Sequence, residues 1–194
     1  MCPIQIKMTE LEIYIASYFG IINQNELSKI ASLFVKTDLA KADFLLQSGN
    51  HCDVLGFVQS GFLRMYSETE DKEITQWIST KGSFVTDLSS FIFGNTTKWN
   101  IQALSNSELY IISKLDYENI KNVAPKWAEL EKLFITKCFT AMENRIFSFL
   151  SLSAEERYNL LYEQNREIFN QVPLQYLASM LGMSAETLSR IRKK

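Results

Sequence analysis

Short apolar segments follow one another at regular spacing between residues 39 and 113, and turn residues separate them. They contain β-branched and aromatic residues, and the turns between them include Gly49, Gly61 and Gly82. The segments are residues 44–46, 54–58, 62–66, 74–78, 101–104 and 109–112. Strands of this length, spaced by turns, are typical of a small barrel or sandwich. We therefore predict a compact β-domain in the first two thirds of the chain.

A different pattern occupies residues 125–150, which contain no glycine and, after Pro125, no proline. Eight apolar residues recur there at helical spacing: Leu130, Leu133, Phe134, Cys138, Ala141, Met142, Ile146 and Phe149. Such a stripe predicts one long amphipathic helix, and 26 residues of helix would span about 39 Å. The apolar face either packs on the β-domain or forms a seam between two copies of the chain.

Local signals place further helices on both sides of this region. Thr9 with Glu12, and Ser153 with Glu156, have the spacing of a capping box, which satisfies the first backbone donors of a helix. A helix is therefore predicted over residues 9–19, a shorter one over residues 25–34, and another beginning at Ser153.

The last 22 residues, 173–194, predict two short helices joined by a tight turn. Gly182 can adopt the left-handed conformation that ends the first helix, and Ser184 is a good N-cap for the second. This arrangement is typical of a DNA-binding helix-turn-helix, whose second helix enters the major groove. Arg190 could donate two hydrogen bonds to guanine, and Glu186 could accept one from cytosine. The alternative is an amphipathic helical hairpin with a solvated face.

Charge is distributed unevenly along the chain. Residues 173–194 hold four basic residues against Glu186 alone, a net charge of +3, whereas the whole chain carries −2. The remaining 172 residues therefore carry −5. A basic end on an acidic body is either a local binding surface or a solvated tail.

Several functional classes are disfavoured by composition. His51 is the one histidine, and the three cysteines are far apart, so the chain predicts no metal site, no disulfide framework and no catalytic nucleophile–base pair. An enzyme of the cupin type, which commonly needs several histidines, is disfavoured for the same reason. With no signal-peptide pattern and no apolar run of about 18 residues, the expected location is the cytoplasm, with no membrane partner.

The final helix resembles the recognition helix of the cyclic-AMP receptor protein/FNR family. The resemblance lies in Ser-Ala-Glu-Thr-Leu-Ser-Arg-Ile at residues 184–191 and extends upstream through Gly49, Gly61 and the Lys72-Glu73 pair. The ending of the chain resembles the short-tailed members typical of Bacteroidetes. The resemblance implies that Glu186 and Arg190 read bases and that other residues of the helix support phosphate or base contacts. The full set of implied DNA-binding residues is Ser184, Glu186, Thr187, Ser189, Arg190, Arg192, Lys193 and Lys194.

The resemblance also identifies a degenerate effector site. Cyclic-nucleotide-binding members of the family carry a Gly-Glu pair and, some ten residues later, an Arg-Ser pair. The matching positions are residues 86–88 and 97–99, so the candidate ligand-binding residues are Asp87, Leu88, Thr97, Lys98 and Trp99. No arginine stands between Arg64 and Arg145, and a lysine cannot replace the fixed two-pronged donor of a guanidinium. The sequence therefore argues against cyclic AMP as the ligand and indicates no other cofactor.

Two further expectations concern the effector and the DNA contacts. One apolar group either lines a pocket for a less polar effector or forms the β-domain core: Phe84, Val85, Phe91, Ile92, Phe93 and Trp99. The β-wing that usually follows the recognition helix is missing from the sequence, so phosphate contacts should fall to Arg192, Lys193 and Lys194.

These expectations combine into one architecture. The fold class is α+β: an N-terminal β-roll like that of cyclic-nucleotide-binding domains, a long dimerisation helix, and a C-terminal helix-turn-helix lacking the wing. The predicted domains are residues 1–124, 125–150 and 151–194. The predicted function is a homodimeric, sequence-specific transcription regulator that binds a near-palindromic operator, with RNA polymerase and an unknown small-molecule effector as further partners. The alternative is a ligand-binding or protein-interaction module with reduced or lost DNA binding.

Overall fold

The computed structural model describes residues 8–20 and 23–193. Two helices open it: α1 (Glu10–Phe19) and α2 (Gln24–Ala31). The predicted capping box is present at α1, where the Thr9 side chain accepts from the Glu12 backbone N–H and the Glu12 carboxylate accepts from the Thr9 N–H. Cys2 and Lys194 lie outside the described residues.

The described residues contain eight strands after these helices. They are β1 (Val35–Leu39), β2 (Phe44–Leu46), β3 (Val54–Ser60), β4 (Leu63–Glu68), β5 (Glu73–Ser79), β6 (Phe84–Val85), β7 (Asn100–Ala103) and β8 (Ser107–Ser113). They form two four-stranded antiparallel sheets, ordered β1-β8-β3-β6 and β2-β7-β4-β5. The six predicted strands are confirmed. Sequence reasoning missed β1, which is largely exposed, and β6, which has two residues. Both are strands because they pair with β8 and β3, which lie far away in the sequence.

The other regular elements of the described chain are helices. Helix α3 (Leu88–Phe93) interrupts the strands, and α4 (Lys114–Asn119) leads through a 3-10 turn (Ile120–Asn122) to α5 (Trp127–Ser151). The chain continues with α6 (Ala154–Gln164), α7 (Ile168–Gln171), α8 (Leu174–Met180) and α9 (Ala185–Arg192). The second predicted capping box is present at α6, between Ser153 and Glu156. None of the helices among the described residues combines the length and apolar character that crossing a bilayer requires.

The main core lies between the two sheets and the start of α5. Phe134 is fully buried, and its ring stacks on Phe19 at 4.6 Å between centroids; Phe19 also stacks on Trp127 at 4.6 Å. Phe134 also meets the ring of Phe84 on β6 edge-on at 5.2 Å, so the first half of α5 packs on the β-roll, as one of the two interpretations of its apolar stripe predicted. Large apolar side chains farther along α5 remain exposed: Phe139, Met142, Ile146, Phe147 and Leu150.

A second core joins the C-terminal helices to the β-roll. Phe62 and Ile78 from the roll are buried with Ile168, Leu177 and Leu188 from the helices. The helices that follow α5 are thus packed against one edge of the β-roll around β5.

Candidate effector cavity and C-terminal helix pair

The predicted carboxylate of the effector site, Asp87, is buried and already bonded. It is the N-cap of α3: its Oδ1 accepts from the backbone N–H groups of Ser89 and Ser90, at 3.1 and 3.3 Å. Its Oδ2 accepts from the Thr97 hydroxyl at 2.6 Å. Two of the predicted ligand residues are therefore brought together, but they bind each other and hold the start of α3.

The other predicted ligand residues divide between the cavity and solvent. Leu88 and Trp99 line a cavity between the β-roll and α5. Lys98 is exposed, and its Nζ lies 5.0 Å from the centroid of the Trp99 ring rather than in the cavity wall. Leu88 and Trp99 therefore form part of the cavity wall, whereas Lys98 places no positive charge there.

The cavity has a volume of about 420 Å³ and an apolar lining drawn from distant parts of the chain. The roll contributes Met65, Trp77 and Phe84, and α5 contributes Cys138 and Met142. Burial raises the pKa of the Cys138 thiol to about 11. That thiol is therefore neutral near pH 7, like most of the lining.

The six apolar residues that were predicted either to line a pocket or to form the core lie in three different environments. Phe84, Val85 and Trp99 line the cavity. Phe91 belongs to the core, where its ring meets Tyr117 edge-on at 5.1 Å. Ile92 and Phe93 are exposed, and Ile92 borders a separate cleft beside Tyr117. Placing Phe93 in a pocket or core was wrong, because the helical turn of α3 puts it on the face opposite Phe91.

The second candidate site is the pair of helices α8 and α9. Gly182 has φ +67°, and the Ser184 side chain accepts from the Thr187 N–H at the start of α9. Both agree with the predicted turn and N-cap. Leu177, Ala178 and Leu188 are buried between the helices and the roll.

The outer face of α9 is polar and accessible. Glu186, Arg190, Arg192 and Lys193 are exposed, whereas Thr187 and Ser189 are half-buried. A hydrogen bond from the Ser184 side chain lowers the pKa of Glu186, so its carboxylate is ionised near neutral pH. Of the predicted DNA-binding residues, Lys194 alone lies outside the described part.

Three arginines that sequence reasoning did not select hold the helix pair in place. Arg145 on α5 donates to the Met180 carbonyl at 2.8 Å, and Arg157 on α6 donates to the Leu181 carbonyl at 3.0 Å. These bonds satisfy carbonyls at the end of α8, which lack partners within the helix. Arg64 on β4 is 2% exposed and lies against the Tyr176 ring of α8. A single arginine within an apolar strand is the signal that could have drawn attention to it.

Elsewhere the described residues offer little for metal chemistry. His51 is exposed, and its Nδ1 lies 2.9 Å from the Gly94 carbonyl oxygen. No group of three or more potential metal ligands occurs within residues 8–20 and 23–193.

Comparison with known proteins connects these features to a family. Residues 36–122 match the family model of the cyclic nucleotide-binding domain. No curated protein matches the chain.

Solved structures match over most or part of the chain. FixK2 from Bradyrhizobium japonicum aligns with a TM-score of 0.67 and 16% identity, over 82% of this chain and 83% of that one. A putative CRP/FNR-family transcriptional regulator from Eubacterium rectale aligns with a TM-score of 0.65 and 19% identity, over 89% and 82%. A cAMP-bound PfPKA-R fragment aligns with a TM-score of 0.53 and 15% identity, over 57% of this chain but only 40% of that one. At these identities the structural matches establish the fold.

The family match covers the β-roll, and the structural matches extend over the helices that follow it. Residues 36–122 therefore match the cyclic nucleotide-binding domain family, and the chain shares the overall fold of the CRP/FNR-type regulators.

Proposed function

We propose that this protein is a homodimeric, sequence-specific DNA-binding transcription regulator with a sensor domain. The observation that carries the proposal is the outer face of α9. It presents Glu186, Arg190, Arg192 and Lys193 to solvent, on a helix held by a buried partner helix and a glycine turn. A helix presented in this way fits the major groove of DNA.

The chemistry of that face divides into base reading and phosphate binding. Arg190 can donate two hydrogen bonds to the acceptors of guanine, and the ionised Glu186 can accept from the amino group of cytosine. Thr187 and Ser189 can support base or phosphate contacts. Arg192, Lys193 and Lys194 would neutralise phosphates and supply affinity that does not depend on sequence.

Homodimerisation is proposed from the apolar residues that α5 leaves exposed. Ile135, Phe139, Met142 and Ile146 are 41, 64, 38 and 57% exposed, at successive spacings of four, three and four residues. This is the a/d spacing of a coiled-coil seam. A second copy of the chain would bury the seam, and the two α9 helices would then read half-sites about 34 Å apart.

The cavity between the β-roll and α5 is the proposed effector site. Occupancy would shift the population between two arrangements of the dimer and so change DNA affinity. Asp87 is already bonded to Thr97 and to the start of α3, and no arginine lines the cavity among the described residues, so cyclic AMP is not the proposed effector. RNA polymerase is the further partner that an activator would need, and the cytoplasm is the expected location of such a regulator.

The test is selection of bound sequences from a random DNA pool by the purified protein, repeated with Arg190→Ala and Lys193→Ala. We expect a two-fold-symmetric motif with half-sites about 10 bp apart. Arg190→Ala should cost about 1–3 kcal/mol of DNA-binding free energy and weaken the base preference at one position of each half-site. Lys193→Ala should weaken binding to all sequences alike. Equal losses on all sequences for both variants would show that Arg190 reads no base.

A second candidate is a ligand-binding or protein-interaction module with reduced DNA binding. The packing of α8 on β5 favours this second candidate, because it holds the helix pair against the β-roll. Ser179 of α8 accepts a hydrogen bond from the Thr75 N–H of β5 at 2.9 Å. The charge of −5 outside residues 173–194 also opposes DNA. Salt dependence separates the two functions, because a DNA reader releases counterions and loses affinity steeply as salt rises.

A further inference from the structure

We propose that the cavity between the β-roll and α5 binds a neutral, largely apolar small molecule that carries one hydrogen-bond donor. The volume of the cavity, about 420 Å³, is within the range of sites that hold small organic ligands. The inference deepens the proposed function and rests on it, because it names the ligand class of the proposed sensor.

The cavity has no buried anchor for an anion. Lys137 is the cation among its described lining residues; it is exposed, and its Nζ already donates to the carbonyl of Ser17, another lining residue, at 2.8 Å. Arg64 belongs to the same strand as two lining residues but points to the other sheet face, where it bonds Thr75 and Glu73. A phosphate or carboxylate entering the cavity would therefore lose its water without gaining a guanidinium.

A cationic ligand is also disfavoured. Asp87 is the acidic residue of the described wall, and both its oxygens already accept hydrogen bonds from Ser89, Ser90 and Thr97. A cation would have to break these bonds, which hold the start of α3, to gain a direct partner. The electrostatics of the wall thus favour a ligand without net charge.

The lining determines the rest of the ligand's character. Its apolar members are chiefly aromatic, branched aliphatic and thioether side chains: Leu63, Met65, Trp77, Phe84, Val85, Leu88, Trp99, Ile101 and Met142. Such a surface gains free energy by covering an apolar molecule. The methionines can adjust to its shape, because their side chains are unbranched and flexible.

One polar atom in the wall lacks a partner. The side-chain oxygen of Gln76, Oε1, is buried and accepts no hydrogen bond among the described residues. A buried acceptor without a donor is costly. Rotation of the Gln76 side chain toward the cavity would bring this oxygen within reach of a hydroxyl or N–H group on the ligand and so remove that cost. This is why one donor is part of the proposal.

The experiment uses two fluorescent probes that differ in one donor. N-phenyl-1-naphthylamine is neutral and apolar and carries a single N–H, and in 1-benzylnaphthalene a CH2 group replaces that N–H. Titration of the full-length protein should show tighter binding of the amine by about fivefold. Gln76→Leu removes the acceptor at similar size, so it should abolish this preference while the hydrocarbon still binds. Thermal unfolding of the variant checks that it folds.

Cys138 reports where the probes bind. Its thiol lines the cavity, whereas Cys52 is 1% exposed. In a Cys2→Ser background, bound amine should slow the alkylation of Cys138 at least severalfold. Phe139→Lys, which disrupts the seam of α5, should leave this protection unchanged, whereas a probe bound on the seam would lose it. Cyclic AMP, added as a competitor, should leave both fluorescence and alkylation unchanged.

The outcomes separate the two proposals. Failure of the folded wild-type protein to bind either probe, persistence of the preference in Gln76→Leu, or displacement by cyclic AMP would each overturn the ligand class. These measurements contain no DNA. A protein that binds the amine as described but enriches no sequence from the DNA pool would contradict the proposed regulator and leave the cavity's ligand class standing.

Discussion

The guanidinium carbon of Arg64 lies 3.7 Å from the centroid of the Tyr176 ring, and this contact joins strand β4 to helix α8. The Tyr66 ring lies at 4.1 Å from the same carbon, so the cation is held between two aromatic rings. Its Nε donates to the Thr75 hydroxyl at 2.9 Å and its Nη1 to the Glu73 carboxylate at 2.6 Å. One buried arginine therefore links the β-roll to the proposed DNA-binding unit.

Replacing this arginine should loosen the joint between the two parts. Arg64→Met keeps the apolar stem but removes two hydrogen bonds and both ring contacts, and we expect it to cost about 2–3 kcal/mol of folding free energy. Arg64→Lys should recover little, because an ammonium lacks the planar fork of the guanidinium. Urea unfolding measures the loss.

The control for Arg64 is an exposed ion pair. Lys36 and Glu108 meet at 3.0 Å, with side chains 53 and 43% exposed. Lys36→Met should change stability little, because solvent screens this exposed pair. Similar small effects of the two methionine variants would contradict the role given to Arg64.

The exposed apolar seam of α5 should control the oligomeric state. Phe139→Lys places a charge at the centre of the seam, where a second copy would have to bury it, so we expect a monomer. Sedimentation velocity measures the change. Phe93→Lys is the control, because Phe93 is 74% exposed on α3, outside the seam. A wild-type monomer, or dissociation by the Phe93 variant alone, would contradict the proposed interface.

Gly182 is needed for both its backbone conformation and its lack of a side chain. Its φ is +67°, and a Cβ there would lie 2.5 Å from Cε1 of Phe149. Gly182→Ala should therefore cost about 1 kcal/mol of folding free energy for the strained backbone. The clash with the Phe149 ring should add to this loss. Gly49→Ala is the matched control, since Gly49 has φ +88° and open space around it.

The Gly182 effect can be divided experimentally. Adding Phe149→Ala should remove the clash, so Gly182→Ala should then cost about as much as Gly49→Ala in urea unfolding. Additive effects of the two substitutions would show that the Phe149 ring moves aside without cost.

Glu12 should make stability depend on pH at the acidic end. Hydrogen bonds from the Ser28 hydroxyl and the Thr9 backbone lower its pKa below the ordinary value of 4.5. A lowered acid pKa stabilises the fold above the unfolded-state pKa, and this contribution is lost as pH falls through the folded-state pKa. Glu12→Gln should therefore cost about 1 kcal/mol at pH 7.

The difference between wild type and Glu12→Gln should shrink as pH falls below 4.5, as followed by urea unfolding at a series of pH values. Glu156→Gln is the matched change in the exposed capping box of α6 and should have a smaller effect. A cost for Glu12→Gln that does not vary with pH would rule out the titration as its cause.

Local interactions explain which features the sequence predicted well. The caps at Thr9 and Ser153 and the turn from Gly182 to Ser184 each satisfy backbone groups within three or four residues. Their determinants therefore stand next to one another in the sequence. The regular spacing of strands likewise indicated the β-roll. The missed strands, β1 and β6, have no such local signature.

The candidate effector site shows why local reasoning was incomplete. Position in the chain identified Asp87 and Thr97 as ligand residues, but only packing shows that they bind each other at 2.6 Å. The cavity wall also includes residues as distant as Ser17 and Met142, which share no local pattern.

The sequence by itself determined six of the described strands, the long helix, the turn and cap of the C-terminal helix pair, and the absence of an arginine between Arg64 and Arg145. Tertiary structure decided that Arg64 is buried between two tyrosines, that Gln76 has an unpaired oxygen, and that α5 divides into a packed half and an exposed half. The reason is physical. Helix caps and turns depend on hydrogen bonds between near neighbours, whereas burial, cation–π contacts and cavity walls depend on which distant segments meet.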